Sequence, residues 1–261
     1  MAYIPSGIED VRINYSLNGT GPPIVLLHGW LCNRTFWKEQ VSILSVDHQV
    51  LSLDLRGHGE SDSPERGYDL ETLSHDVHTV INILGLRPTT IVGHSMGGIV
   101  AQHMAINYPE DIAGLILVTT TSAAAEDTLI SKRIITAANE LGYESALLRH
   151  YIDWFHPTTN INLIKWVIAQ MLLTPEHVAR RLVAAFGNTD FRDHIRHIDA
   201  PTLVLGASSD VSTPASRSRE LSHLIPKANL TVIEGAGHFV QLERPHQFNE
   251  AIRQFLSESG L

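Results

Sequence analysis

The chain has 261 residues, of which 43% are hydrophobic, and this composition excludes a disordered protein. The 19 Lys and Arg residues and 28 Asp and Glu residues give a net charge of −9 at pH 7. Because no block of Lys or Arg offsets this charge, we expect neither nucleic acid nor an anionic membrane surface as a partner. The length suits one large core with an insertion.

One cysteine, Cys32, excludes an intrachain disulfide and a cysteine-based zinc site. The N-terminal residues lack the basic stretch and apolar run of a secretory signal. The apolar runs also fall far short of the roughly 18 residues that span a membrane. We therefore expect a soluble, cytoplasmic protein.

In chain order, the first predicted elements are antiparallel strands at the N-terminal edge of a sheet. Residues 8–17 alternate in polarity, and Asn18-Gly19 follows them as a predicted hairpin turn. Six short apolar runs come next, and most are apolar throughout, as in strands buried on both faces. The runs are 24–27, 50–55, 90–92, 115–118, 202–205 and 230–233.

Helical patterns separate these runs, and the clearest is an apolar stripe over residues 70–84 that ends at Gly85. Strands that alternate with helices predict an α/β fold with a mostly parallel sheet and helices on both faces.

Residues 122–197 interrupt the alternation with four candidate helices, at 129–141, 143–155, 161–173 and 175–186. We interpret 122–197 as a helical cap inserted into a core formed by 1–121 and 198–261. Trp154, Trp166 and Phe186 of this segment are candidates for lining a substrate pocket, although packing is the commoner role of a buried aromatic residue.

The motif Gly93-His94-Ser95-Met96-Gly97 is the strongest chemical signal in the chain. It matches G-x-S-x-G and lies between a predicted strand and a helical stretch, where a sharp turn exposes the serine hydroxyl. The two glycines leave room where a Cβ would clash. Ser95 is therefore the predicted nucleophile, and the alternative is a glycine-rich turn needed only for packing.

A serine nucleophile needs a base, and the base needs an orienting acid, in the chain order Ser, Asp or Glu, His. Asp210 and His238 follow two later predicted strands and meet this order, so we predict them as the acid and the base. Glu126 and Asp127 are alternative acids, because they follow the strand predicted at 115–118.

Two backbone N–H groups are predicted to bind an oxyanion, those of Met96 and Trp30. The Trp30 ring is a further candidate for the pocket, as are Val211 and Phe239, which adjoin the predicted acid and base. His28 has two interpretations, a second catalytic base or a structural histidine, and we favour the structural one.

Residues 54–62 crowd Asp54, Arg56, His58 and Asp62 into one loop, which we interpret as a structural turn and not as a catalytic or metal cluster. The pairs His75/His78 and His194/His197 have helical spacing but lack further ligands, so we predict no metal site.

Together, His28-Gly29-Trp30, residues 54–61, the Ser95 motif, Asp210 and Gly237-His238 resemble the α/β-hydrolase superfamily over nearly the whole chain. Their pattern is similar to the branch with esterases, lactonases and cofactor-free haloperoxidases. The resemblance implies an eight-stranded, mostly parallel sheet, a covalent acyl-enzyme and no cofactor. Members with Asp at the nucleophile position are dehalogenases or epoxide hydrolases, and Ser95 argues against both.

The sequence thus predicts a serine hydrolase that acts on a small carboxylic ester or lactone, with peracid formation as a side reaction. Two alternatives stay open. One is a hydrolase that cleaves a C–C bond in a diketone-like substrate with the same triad. The other is a ligand receptor that retains the fold without efficient turnover.

Overall fold

The six apolar runs predicted as strands all lie in one eight-stranded sheet of the computed structural model, which describes residues 2–123 and 129–261. The strands are β1 (Ala2–Pro5), β2 (Arg12–Asn18), β3 (Pro23–Leu27), β4 (Gln49–Leu53), β5 (Thr89–His94), β6 (Ile112–Val118), β7 (Thr202–Ala207) and β8 (Ala228–Ile233). Their spatial order is β1-β2-β4-β3-β5-β6-β7-β8. β2 is antiparallel to β1 and β4, and the other neighbours are parallel. The mostly parallel α/β sheet is confirmed.

The predicted hairpin at Asn18-Gly19 is wrong. After β2 the chain passes across the end of β4 and enters β3 on its far side. Gly19 has a φ of 76°, and a Cβ there would meet the carbonyl oxygens of Ser45 and His48, so the glycine permits a tight crossing. The antiparallel hairpin joins β1 to β2 through residues 6–11.

The helices of the described residues include those predicted at 70–84, 129–141, 161–173 and 175–186, with ends that differ by at most two residues. They are α1 (Lys38–Leu44), α2 (Leu70–Ile83), α3 (Met96–Asn107), α4 (Leu129–Leu141), α5 (Tyr143–His150), α6 (Ile161–Met171), α7 (Glu176–Phe186), α8 (Ala215–Leu224), α9 (Val240–Glu243) and α10 (Pro245–Ser259). The helix predicted over 143–155 is shorter, because α5 ends at His150 and a 3₁₀ helix follows over Tyr151–Trp154. Pro157 disfavours helical backbone in the residue before it, which helps to end the helical stretch.

Alternate residues of the central strands face two separate helical layers. In β3, Val25 and Leu27 pack in the core shared with α2 and α3, whereas Ile24 and Leu26 pack in the core shared with α1 and α10. Burial on both faces explains why these strands read as continuous apolar runs.

A third core lies where the helices between β6 and β7 cover the loops of the sheet. Ile134 of α4 and Ile164 of α6 pack there with Phe36 and Phe239. The predicted cap helices therefore cover the carboxyl ends of the parallel strands, which is where open α/β sheets bind their ligands. The division into core and cap stays our interpretation.

Within the described residues, none of the helices combines the length and apolar character needed to cross a bilayer.

Candidate active site

Ser95 occupies the sharp turn between β5 and α3. Its φ of 52° and ψ of −117° place it in a backbone region that residues other than glycine seldom adopt. The glycines of the motif make this turn possible, since a Cβ on Gly93 would meet the carbonyl oxygen of Gly97 and a Cβ on Gly97 would meet those of Leu27 and His28. The turn leaves the Ser95 hydroxyl at the carboxyl end of β5, next to the cavity that Ser95 lines.

His238 and Asp210 meet Ser95 in one chain of hydrogen bonds. The His238 Nε2 atom lies 3.0 Å from Ser95 Oγ, and His238 Nδ1 lies 2.8 Å from Asp210 Oδ2. The three residues come from loops after β5, β7 and β8, so 143 residues separate the serine from its histidine. The structure therefore brings together the three residues that the sequence predicts.

The carboxylate of Asp210 is oriented by donors from its own loop. Its Oδ1 accepts hydrogen bonds from the N–H groups of Ser212 at 2.8 Å and Thr213 at 3.0 Å, and its Oδ2 lies 2.6 Å from Thr213 Oγ1. An ionised carboxylate is acceptor-only, and these donors leave Oδ2 directed at the His238 ring. Thr213 was not predicted, although its place three residues after an Asp in a loop is a turn signal.

The backbone of His238 is held at both of its polar groups. Its carbonyl accepts hydrogen bonds from His94 Nε2 at 2.9 Å and Thr119 Oγ1 at 3.0 Å. Its N–H donates to the carbonyl of Trp154 at 2.7 Å. Burial holds the pKa of His94 well below its ordinary value, so His94 is a neutral donor that joins the serine turn to the histidine loop.

The two predicted oxyanion donors border the same cavity as Ser95. Met96 is the first residue of α3, where a backbone N–H has no acceptor within its own helix. Trp30 follows Gly29, and the backbone at Gly29 lies close to Ser95. A Cβ added to Gly29 would be only 3.2 Å from the Cβ of Ser95. Trp30 Nε1 also donates to the carbonyl of Ala179 at 3.2 Å, which ties this loop to α7.

The cavity above Ser95 has a volume of about 90 Å³. Four of the six predicted pocket residues line it, namely Trp30, Trp154, Phe186 and Phe239. Other lining residues include Cys32, Ile99, Thr120, Thr121, Leu182, Val183 and Ser212. The lining is mainly apolar and includes the hydroxyl groups of Thr120, Thr121 and Ser212.

Two predicted pocket residues do not line this cavity. Trp166 packs against Phe36 with ring centroids 5.1 Å apart, and the Lys38 ammonium lies over its ring. Val211 is 54% exposed. The pocket prediction is wrong for both, because the face that a helix or loop turns to the cavity is set by packing.

His28 has a structural environment. It is fully buried, its Nδ1 lies 2.8 Å from the Gly29 carbonyl, and its Nε2 accepts the N–H of Leu55 at 2.9 Å. Burial lowers the pKa of His28 to about 4, although the hydrogen bond to Gly29 acts in the opposite direction. With both ring nitrogens engaged, His28 fixes its loop, which supports the structural interpretation.

The loop at residues 54–62 also has a structural environment. Asp54 is buried and accepts hydrogen bonds from the N–H groups of Arg34 at 2.7 Å and Glu60 at 3.1 Å. Among the described residues, no group of three or more His, Cys, Asp or Glu side chains is placed to hold a metal ion. The alternative acids Glu126 and Asp127 lie outside the described residues.

Comparison with known proteins decides the family. The sequence profile described as the alpha/beta hydrolase family matches residues 24–251, which is most of the chain. The chain belongs to the alpha/beta hydrolase family. The fold, the serine turn and the order of Ser95, Asp210 and His238 all suit this membership, and hydrolase is the coarse function that it supports.

Within the alpha/beta hydrolases, the chain is similar to esterase, lactonase and haloperoxidase-like proteins. It is 28% identical to a putative non-heme chloroperoxidase of Synechocystis sp., over 98% of this chain and 100% of that protein. It is 29% identical to Est816, an N-acyl homoserine lactone-degrading enzyme, with a TM-score of 0.88 and coverage of 97% and 100%. A thermophilic esterase from Thermogutta terrifontis is 26% identical, with a TM-score of 0.91 and coverage of 99% of both chains.

Proposed function

We propose that this alpha/beta hydrolase is a serine hydrolase that cleaves a small carboxylic ester or lactone. The observation that carries the proposal is the chain of hydrogen bonds from Ser95 through His238 to Asp210. It has the geometry that a serine needs for activation, a base within hydrogen-bond reach and an acid that orients the base. Relatives named as an esterase and a lactone-degrading enzyme support the substrate class.

In the proposed reaction, His238 Nε2 takes the proton of Ser95 as Oγ attacks the acyl carbon. Asp210 holds the tautomer with a proton on Nδ1 and stabilises the imidazolium. The N–H groups of Met96 and Trp30 bind the developing oxyanion. His238 then protonates the leaving alkoxide, and in the second half of the reaction it activates water to release the acid.

The size of the cavity supports a short acyl group. A volume of about 90 Å³ is small beside the roughly 300–1,000 Å³ of pockets that bind drug-sized ligands. The apolar side chains of Trp154, Leu182 and Phe186 suit an alkyl chain. We therefore expect acetyl to butyryl esters and small lactones to be better substrates than long-chain esters.

Hydrolysis of p-nitrophenyl acetate and of a small lactone by wild type and Ser95→Ala tests the proposal. We expect Ser95→Ala to fold normally and to lose several orders of magnitude of kcat, because loss of the nucleophile costs about as much as loss of the whole triad. Ser257→Ala, an exposed serine of α10, is the control. A fluorophosphonate probe should label wild type at Ser95.

Four outcomes would contradict the proposal. More than a few per cent of kcat in Ser95→Ala, or labelling at another residue, would remove Ser95 as the nucleophile. Cleavage of a vinylogous diketone in preference to every ester and lactone would support the C–C hydrolase instead. Tight binding of a ligand without turnover would support a receptor.

The relative named as a putative non-heme chloroperoxidase favours one side activity. Hydrogen peroxide in place of water would attack the same acyl-enzyme and release a peracid, with Ser95 regenerated. Formation of peracetic acid from an acetyl ester and hydrogen peroxide, absent in Ser95→Ala, is the expected result. A peracid oxidises bromide to a brominating species, so an organic substrate should be brominated only when the peracid forms. Bromination that persists in Ser95→Ala would contradict this route.

A further inference from the structure

The carboxylate of Glu243 lies between the loop that carries His238 and the segment that follows the Tyr151–Trp154 helix. Its Oε1 accepts the N–H of Gly237 at 3.0 Å. Its Oε2 accepts the N–H of His156 at 2.9 Å and the hydroxyl proton of Thr159 at 2.6 Å. Glu243 is 8% exposed, so these bonds form almost entirely away from water.

The three donors come from two parts of the chain that are distant in sequence, the loop after β8 and the insertion between β6 and β7. Gly237 immediately precedes His238 after β8, whereas His156 and Thr159 belong to the insertion between β6 and β7. Hydrogen bonds to a carboxylate are stronger than those between neutral groups, and a buried donor that loses its acceptor is costly. Segment 156–159 and the peptide next to His238 are therefore held in one arrangement.

A second hydrogen bond runs parallel to this connection. His238 N–H donates to the carbonyl of Trp154 at 2.7 Å, and Gly237 packs so closely that a Cβ there would meet the same carbonyl. The backbone on the N-terminal side of the His238 Cα atom thus contacts the inserted segment, whereas the His238 carbonyl on the other side is held by His94 and Thr119. The His238 Nε2 atom lies 3.0 Å from Ser95 Oγ, so the position of this backbone bears on the contact between the base and the serine.

We propose that Glu243 is a positioning residue that couples the helical insertion to His238. It acts through the Gly237 peptide, and its effect is on how well His238 takes the proton from Ser95. The inference rests on the proposed function, since it assigns His238 the role of base.

Glu243→Gln tests the coupling with little change in size. The glutamine amide offers one acceptor oxygen and one NH₂ group, so in either orientation its NH₂ faces a backbone N–H that now lacks its acceptor. We expect kcat to fall by about 10- to 100-fold, as for a small displacement of a reacting group. We expect KM to change by less than about threefold, because the cavity lining is retained.

Glu234→Gln is the matched control, since Glu234 is an exposed glutamate in the same loop on the other side of His238. It should keep wild-type kcat and KM. Thr159→Val removes one donor and leaves the carboxylate, so it should lower kcat in the same direction by a smaller factor. If Glu243→Gln does not fold, Thr159→Val decides the question.

The NMR resonance of the His238 Nδ1 proton supplies a readout that does not depend on turnover. We expect it to shift or broaden in Glu243→Gln and to stay unchanged in Glu234→Gln. A folded Glu243→Gln protein with wild-type kcat and an unchanged resonance, and only a lowered melting temperature, would overturn the proposal in favour of a structural role. If wild type hydrolyses no ester or lactone, the proposed function fails, while the resonance still tests the coupling.

Discussion

Ser95 is the residue on which the local backbone and the proposed chemistry both depend. Its φ of 52° and ψ of −117° lie in a sparsely populated region, and such a conformation persists only where the surrounding structure fixes it. Crowding around the turn requires glycine on either side, since Gly93 and Gly97 face backbone carbonyl groups. A strained serine between two glycines is thus a consequence of one tight turn.

Gly97→Ala should damage this turn. Its added Cβ would meet the carbonyl oxygens of Leu27 and His28, which are backbone atoms of the sheet and its loop. Overpacking of this kind costs about 1–3 kcal/mol. Urea denaturation should therefore give a lower free energy of unfolding, together with a loss of kcat.

Gly187→Ala, at the end of α7, is the control for that substitution. A Cβ there would lie 3.3 Å from the Val183 carbonyl oxygen, and the backbone φ of −63° suits any residue. An equal loss of stability in both variants would contradict the argument from the serine turn.

Asp210→Asn should lower kcat severely, by as much as roughly 10⁴-fold, because the imidazole loses its oriented tautomer and its counter-charge. Kinetics with p-nitrophenyl acetate measure this loss. Asp199→Asn, an exposed residue paired with Lys227, is the control. A mild loss in Asp210→Asn, with a severe one when Glu126 or Asp127 is neutralised, would transfer the acid role to the loop after β6.

The inserted helices contribute to the site in unequal ways. Phe186 of α7 lines the cavity, whereas Trp166 of α6 packs against Phe36 and lies outside it. Both are large apolar residues of neighbouring helices, and both were predicted as pocket residues. They therefore form a matched pair for testing which helix sets substrate length.

Phe186→Leu should shift the preference of kcat/KM towards longer acyl chains, because it enlarges the cavity. One methylene in an apolar pocket is worth about 1–3 kcal/mol of discrimination. A series of p-nitrophenyl esters from acetate to octanoate measures the profile. Trp166→Leu should keep the wild-type profile, and a shift in Trp166→Leu alone would mean that α6 and not α7 limits chain length.

At the scale of the whole molecule, three buried histidines link stability to pH. Burial lowers the pKa of His28 to about 4 and of His58 to about 3, and it holds that of His94 well below its ordinary value. For His58, repulsion from a protonated His28 lowers the pKa further. All three are neutral in the folded protein at pH 6.

The unfolded chain binds more protons than the folded one at these positions once the pH falls below about 6.5. The folded protein therefore has its full stability with respect to these histidines above pH 6.5. It loses this stability as the pH falls towards their pKa values in the folded state. We expect the free energy of unfolding, measured in urea from pH 7.5 to 5.5, to decrease by up to about 1.4 kcal/mol per pH unit for each histidine.

His58→Gln should reduce this slope by the share of one histidine. Stability that does not change between pH 7 and 5.5 would contradict the argument. An unfolding free energy that falls with pH as steeply in His58→Gln as in wild type would also contradict it.

The sequence by itself determined the six apolar strands, the helix over 70–84, most of the inserted helices and the order of the chemical motifs. Strands buried on both faces are apolar throughout, and the apolar positions of a helix repeat every 3.6 residues. Both patterns are local, so they can be recognised in the sequence. The Ser95 turn could also be recognised, because the G-x-S-x-G motif is local in the sequence, although the carbonyl oxygens that require Gly97 belong to the distant residues Leu27 and His28. The family resemblance then supplied the eight-stranded architecture, which the structure and the comparisons confirm.

Only the tertiary structure decided which side chains share the space above Ser95. Trp166 and Phe186 have similar sequence contexts, yet packing turns only one of them to the cavity. It also revealed the roles of Thr213, His94 and Glu243. Thr213 and His94 contact His238 from 25 and 144 residues away along the chain, and Glu243 contacts His156 from 87 residues away. A single polar residue carries no periodicity, so its partner becomes visible only when the sheet brings the strand ends together.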